Sequence, residues 1–241
     1  MRYKILFSYD GSDFYGYAKQ PNKNTIQGTI ENCLKNLFNE NIIIHSSGRT
    51  DKGVHALGQV ADFFTIKEIK TNNILVFLNK TLPNSIKILN CEIVDETFSS
   101  RFSAKKKTYV YLVSTADLDI FIGKYVYINN KLDIGKMKEA ASYFIGKHNY
   151  QNFTSKPDDY DNFERIIYSI KFKKIKNIYA ISFTGNGFMK YMIRKIVGTL
   201  IGVGLGKIDY TFIENNLYVS DRNIVNYTAP SNALFLKKVF Y

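Results

Sequence analysis

The residues with the most chemical potential lie in one segment, Ser47-Gly48-Arg49-Thr50-Asp51-Lys52-Gly53-Val54-His55-Ala56. Its two glycines permit a tight loop and a close backbone approach by a ligand. Between them an arginine, an acid and a lysine stand together, a set able to hold phosphate or sugar oxygens beside a reactive carboxylate. Such a carboxylate serves as nucleophile, general base or metal ligand. A hard cation needs several oxygen ligands, and the loop carries no second acid. The same shortage argues against a local glycosidase-type carboxylate pair. A lone carboxylate between cations fits a nucleophile that stays ionised, because neighbouring positive charge favours the charged form. The same residues would also make a plain Asx-type turn with solvated charges. The local pattern does not separate these readings.

Two further segments carry unusual side chains. Arg101-Phe102-Ser103-Ala104-Lys105-Lys106-Lys107-Thr108-Tyr109-Val110-Tyr111 interleaves basic and aromatic residues on a strand. Period-two alternation puts Tyr109 and Tyr111 on one face with Val110 opposite. Aromatics on a sheet beside cations make a platform for unstacked bases, and equally they make an ordinary core strand. The second segment runs from Gly185 to Leu200. Phe188, Met192 and Lys195 or Ile196 recur there at helical spacing, and Arg194 interrupts the apolar stretch. A buried arginine needs a carboxylate partner. Asp51 is the most interesting candidate, and Asp209 or open solvent is the alternative.

The elements that must position these groups follow from hydrophobic periodicity and turn residues. Strands are expected at 3–9, 42–44, 57–65 and 86–94. Helices are expected from a cap at Asn24 or Thr25 through Phe38, with Ile26, Ile30, Leu34 (or Cys33) and Leu37 on the apolar face, and at 72–80, stopped by Pro83. The second half repeats the rhythm. Strands are expected at 107–114, 125–128, 165–175, 178–184 and 234–240, and helices at 134–145, 188–203 and 209–217. Each half reads as a helical layer over a mostly antiparallel sheet, an α+β fold. The boundary is expected at the polar basic break 103–107, giving halves 1–104 and 105–241.

Composition narrows the partner. Hydrophobic residues make up 45% of the 241, enough for a proper core. Thirty-three Lys+Arg against 21 Asp+Glu give a formal charge of +12, which points to a polyanion. A lysine-rich, asparagine-rich composition reaches the same value without one. Arginine occurs only as Arg2, Arg49, Arg101, Arg165, Arg194 and Arg222. In so lysine-biased a chain these mark places where the planar fork matters, so Arg49 and Arg194 should tolerate lysine far less well than Arg2. Cys33 and Cys91 both stand in apolar surroundings and read as two buried thiols of a reducing, cytoplasmic protein. No signal-peptide core or membrane-length apolar run is seen, and neither a Rossmann nor a P-loop fingerprint occurs.

Taken together the segments resemble the TruA family of tRNA pseudouridine synthases. The family pattern, Gly-Arg-Thr-Asp then one residue then Gly-Val-His-Ala, stands here as Gly48 to Ala56. Tyr9-Asp10-Gly11-Ser12 through Gly16, Thr25-Ile26-Gln27-Gly28, Arg101-Phe102-Ser103-Ala104 with Tyr109, Gly187-Phe188 through Arg194 to Gly198, and Thr228-Ala229-Pro230 resemble its other motifs in order. The resemblance implies two pseudo-symmetric α/β-sandwich halves meeting at a central basic cleft. It implies a cofactor-free, metal-free homodimer that isomerises uridine at positions 38, 39 and 40 of the tRNA anticodon stem-loop. Asp51 would be the catalytic carboxylate and Arg194 its salt-bridge partner. Tyr109 would stack on the target uracil and Arg49 would fill the space the nucleotide leaves. Arg101 and Lys52 are expected as further substrate-binding cations. Lys52 departs from a commoner alanine, Gly16-Tyr17-Ala18 from Gly-Trp-Gln, and Asn149 from aspartate. The competing reading is a non-catalytic RNA-binding module of RNA-recognition type.

If the +12 charge serves RNA, affinity for tRNA falls steeply with salt, one counterion being released for each neutralised phosphate. A titration in rising potassium chloride checks this; a flat response makes the charge compositional only.

Overall fold

The computed structural model describes residues 1–218 and 225–241. Arg222 therefore lies outside the described residues. In chain order the elements are β1 (Arg2–Tyr9), α1 (Ile26–Phe38), β2 (His45–Ser46), β3 (His55–Phe64), α2 (Thr71–Thr81), β4 (Ile86–Val94), β5 (Lys106–Ser114), α3 (Ile120–Gly123), β6 (Tyr127–Ile128), α4 (Ile134–Ala141), β7 (Gly146–Asn149), β8 (Glu164–Ile175), β9 (Ile178–Gly185), α5 (Met192–Gly204), α6 (Tyr210–Tyr218) and β10 (Leu234–Phe240). They form two compact units, Met1–Lys105 with Phe235–Tyr241, and Lys106–Leu234. The C-terminal strand, expected with the second half, thus groups with the first unit.

In the first unit β1 pairs antiparallel with β3 on one side and β4 on the other, and β10 adds to β3 in parallel. Strict alternation along β1 buries Tyr3, Ile5, Phe7 and Tyr9 on one face. Helix α1 presents Ile26, Ile30, Leu34 and Phe38 to the core, and α2 presents Ile74 and Leu78. Tyr3 and Phe63 stack with centroids 5.3 Å apart, and Phe38 meets Phe63 at 5.9 Å. Each large apolar side chain so buried contributes about 1.5–3 kcal/mol. Thr25 caps α1, its hydroxyl accepting from Gly28 N–H at 3.3 Å.

Two expectations fail here for visible reasons. No strand forms at 42–44, although Ile42 and Ile44 are buried. Ile44 N–H instead donates to the side chain of Glu31 at 3.2 Å, and ladder pairing begins at His45. Leu34, rather than Cys33, faces the core; Cys33 is half-buried and only Cys91 is buried, where loss of solvent pushes its thiol up to about 12.

In the second unit β9 lies between β5 and β8, β7 pairs with β8, all antiparallel, and the short β6 runs parallel to β5. β7 was not expected. The helix expected at 134–145 ends at Ala141, followed by a tighter turn at Ser142–Phe144. The helix expected from 188 starts only at Met192, because Tyr191 sits in the left-handed region at φ 62° and cannot continue it. Every residue of α5 except Arg194 is buried. Among the described residues no helix is long and apolar enough to cross a membrane.

The first unit holds one wholly buried ion-paired acid among the described residues, Asp62 on β3. It accepts from Arg2 Nη1 at 2.6 Å and from Ser100 N–H at 2.7 Å, and Arg2 Nη1 also donates to Phe98 O at 3.0 Å. Arg2 is therefore no neutral comparison for Arg49 and Arg194: its guanidinium ties the first strand to the segment before Arg101. Asp62→Ala leaves this cation facing a vacated apolar site and should cost about 3 kcal/mol, at the lower end for a broken buried pair because Arg2 remains partly hydrated. Thermal unfolding checks this, with an expected drop in Tm of roughly 10 °C.

Candidate active site

The loop from Ser47 to Val54 joins β2 to β3 and is held along its length by polar groups of its own unit. Ser47 N–H donates to Val60 O at 2.9 Å, and its hydroxyl donates to Gln59 Oε1 at 2.9 Å. Gln59, fully buried, returns its amide N–H to Gly48 O at 2.8 Å. Thr50 is gripped twice. Its hydroxyl shares a 2.8 Å hydrogen bond with the Tyr9 phenol, and its carbonyl accepts from Tyr17 N–H at 3.0 Å. Burial pushes the Tyr9 phenol up to about 12, only partly offset by its hydrogen bond to Thr50, so it remains a neutral partner. Val54 N–H then closes a turn onto Asp51 O at 3.1 Å, with Gly53 at φ 77°.

Asp51 is half-buried at the head of that turn, and Arg49 and Lys52 on either side are exposed. His55, buried at the start of β3, stacks on Phe235 at 4.7 Å. Its Nδ1 lies 3.1 Å from Gly11 N–H and 3.0 Å from Asp10 Oδ1. These contacts demand opposite states, since the lone pair accepts from Gly11 and only a protonated Nδ1 donates to Asp10. The directed amide N–H of Gly11 favours the neutral ring, with Asp10 occupied by Ser12 N–H and Oγ at 2.9 and 2.6 Å.

Gly16 explains how the N-terminal turn seats this loop. At φ 93° a side chain is strained, and an added Cβ would lie 3.1 Å from Thr50 O and 3.2 Å from Lys52 N. Arg101 follows the Ser100 amide that binds Asp62; it is exposed and stacks on Phe102 at 5.1 Å.

The second unit carries Tyr109 and Arg194. Tyr109 on β5 is buried and meets Phe188 edge-on at 5.5 Å. Tyr111 shares its face, as expected, but is wholly buried, its hydroxyl donating to Pro230 O at 3.0 Å. It belongs to the core and offers no stacking platform. Burial pushes the Tyr111 phenol above its usual range, and the charge of Arg194 opposes that rise. Arg194 Nε donates to Ala229 O at 2.8 Å, and the guanidinium lies 4.5 Å from the Tyr191 ring centroid. Asp209 is not its partner, being engaged by Thr211 Oγ1 at 2.6 Å and Phe212 N–H at 3.2 Å. The segment 225–229 is clamped onto α5. Ala229 N–H bonds to Arg194 O at 2.9 Å, the buried Lys195 ammonium donates to Val225 O, and Gly198 lets the Tyr227 backbone approach to 2.7 Å of where a Cβ would stand.

Arg49, Asp51, Lys52 and Arg101 therefore belong to the first unit, and Tyr109 and Arg194 to the second. Sequence reasoning missed the supports, namely Tyr9, Tyr17, Gln59 and the 225–229 clamp. The Tyr9–Gly16 motif, the Gly16-Tyr17-Ala18 departure and the Thr228–Pro230 motif were available signals for three of them; Gln59 offered none. Among the described residues no group of three or more His, Cys, Asp or Glu side chains is placed to hold a metal ion.

Comparison with known proteins adds to this geometry. A family model described as tRNA pseudouridine synthase matches residues 5–103 and 140–241. The chain is 38% identical over 239 residues to the tRNA pseudouridine synthase A of Onion yellows phytoplasma, covering 99% of this chain and 98% of that one. It is 40% identical over 243 residues to the protein of the same name from Thermosipho africanus, covering 100% and 99%.

Gly16→Ala should cost about 1–3 kcal/mol through backbone strain. It should also lower turnover by pressing on Thr50 and Lys52. Gly206→Ala supplies the comparison, since Gly206 has φ 67° but nothing within 4 Å of an added Cβ. Both variants should melt earlier, and only Gly16→Ala should lose activity beyond what its unfolded fraction accounts for.

Proposed function

The chain belongs to the tRNA pseudouridine synthase family, and from that membership we propose that it converts uridine to pseudouridine at positions 38, 39 and 40 of the tRNA anticodon stem-loop, with Asp51 as its essential carboxylate. The observation that carries the role of Asp51 is its support. It is a half-buried acid whose loop is pinned at Gly48 and Thr50 by buried side chains and backbone, with a cation on each side. A carboxylate so positioned needs no reorganisation when the reaction begins.

The reaction breaks the N1–C1′ bond of uridine and joins C5 to C1′; the C5 proton leaves to solvent and N1 takes a proton up, so the composition is unchanged. Nothing is oxidised or reduced. Attack on the ribose, attack on the uracil ring and removal of a ribose proton all require Asp51 ionised. Arg194 is assigned as its ion-pair partner, keeping the charge favourable away from bulk water. The single half-exposed position on an otherwise buried helix, together with the Ala229 and Tyr191 contacts that orient its guanidinium, supports that assignment. Tyr109 is assigned to stack on the displaced uracil, which returns on the order of 1–3 kcal/mol against an unstacking cost of a few kcal/mol. Arg49 fills the gap left in the helical stem, and Arg101 and Lys52 contact the RNA.

Tritium release from tRNA labelled at uracil C5 tests the proposal. Wild type should release tritium, and Asp51→Ala should release at least about 10³-fold less while retaining tRNA affinity. Wild-type turnover in Asp51→Ala would remove the assigned role. Tight tRNA binding by a wild-type protein that releases no tritium would point to the non-catalytic RNA-binding module instead.

A further inference from the structure

At the Asp51 loop, Lys52 gathers with two side chains given no role so far, Tyr15 and Lys23. Tyr15 is 43% exposed, and two ammonium groups flank its ring, Lys52 Nζ at 4.3 Å and Lys23 Nζ at 4.6 Å from the centroid. The two nitrogens therefore lie no farther apart than those distances combined. Among the described residues neither has a carboxylate within ion-pair distance. Two like charges gathered at one ring repel each other, and the electron-rich ring face offsets only part of that.

The arrangement is built by the backbone. Tyr15 N–H donates to Asn24 O at 2.9 Å, and its carbonyl accepts from Gln20 Nε2 at 2.9 Å, which ties the ring to the turn bearing Lys23. That turn closes through Lys23 N–H to Gln20 O at 3.3 Å, with Asn22 at φ 56°. Gly16 and the Tyr17 N–H to Thr50 O bond fix the same ring against the loop bearing Lys52. Three pieces of chain thus converge to hold one exposed aromatic and two uncompensated cations next to Asp51. The matching ligand is an anion with oxygens for both ammoniums and an apolar surface for the ring edge. A phosphodiester with its attached nucleoside has both.

We propose that Tyr15, Lys23 and Lys52 form an RNA-backbone subsite that grips a phosphodiester of the strand entering the Asp51 loop. The assignment rests on the reading of this chain as an enzyme of RNA and adds to it a gripping point, made by the N-terminal turn, that holds the strand while Asp51 reacts. The ring organises the two cations, so its aromaticity matters and its hydroxyl does not.

The test is binding of a fluorescein-labelled single-stranded oligouridylate to the full chain across a salt series. In K23Q/K52Q the slope of log K against log salt becomes shallower by about 0.7, since a single strand releases about 0.7 counterion per neutralised phosphate and the two ammoniums share one phosphodiester. K35Q/K80Q removes the same charge from exposed positions of α1 and α2 and leaves the slope unchanged. Y15F binds as wild type, whereas Y15L binds several-fold more weakly. Equal shallowing in both double variants, or none in K23Q/K52Q, overturns the subsite, and thermal melts confirm that each variant is folded. Wild-type tritium release from C5-labelled tRNA is measured alongside. No release with the slope difference intact removes the reaction and leaves the subsite; release without a slope difference removes the subsite alone.

Discussion

Thr50 is held from two directions, its hydroxyl by the phenol of Tyr9 and its carbonyl by the amide of Tyr17, and the position of the neighbouring Asp51 follows from that grip. A reactive carboxylate faces opposing demands. It must be shielded enough for its charge to be felt by a substrate, and supported enough that shielding does not distort the loop. Tyr9 ends the first strand and Tyr17 follows the N-terminal turn, so the loop is held by two pieces of chain far from it in sequence. Gly16 lets those pieces meet, because a side chain there would press on Thr50 O and Lys52 N. The buried amide of Gln59 completes the support at Gly48.

The molecule uses its acids and its cations for separate purposes. Asp62 is wholly enclosed and engaged by Arg2 and the Ser100 amide, an arrangement that serves folding and orients the segment before Arg101. Asp51 is half-buried and followed by a turn, which leaves an approach for a ligand. Arginine is used where geometry matters. Arg2 divides one nitrogen between a carboxylate and a carbonyl, Arg165 bonds two carbonyls, and Arg194 combines a carbonyl with a ring face. Lysine mostly supplies exposed charge. Lys195 is the exception, since its ammonium is buried and caps the carbonyl of Val225, and burial lowers its basicity.

Much of the fold was legible because alternation in strands such as β1 and helical spacing in α1 report burial directly. Two of the failures arise from a contact with a residue distant in sequence, and the third from a local backbone conformation. Ile42 and Ile44 have a strand's side chains, but Glu31 takes the Ile44 amide out of any ladder. Phe188 has the spacing of a helical residue, but Tyr191 in the left-handed region delays α5 by a turn. Tyr111 alternates with Tyr109 as a platform residue would, yet Pro230 and the core enclose it completely.

By itself the sequence determined the class of the fold and the family through its ordered motifs. These depend on local periodicity and residue type, which a linear chain displays. Tertiary structure alone decided which acid is enclosed for stability and which is left approachable, and that Arg2 is structural. It also brought Lys23 and Lys52 to one tyrosine ring. Each of these depends on which distant groups share a hydrogen bond or exclude water from a charge, and solvation of that kind exists only once the chain has closed on itself.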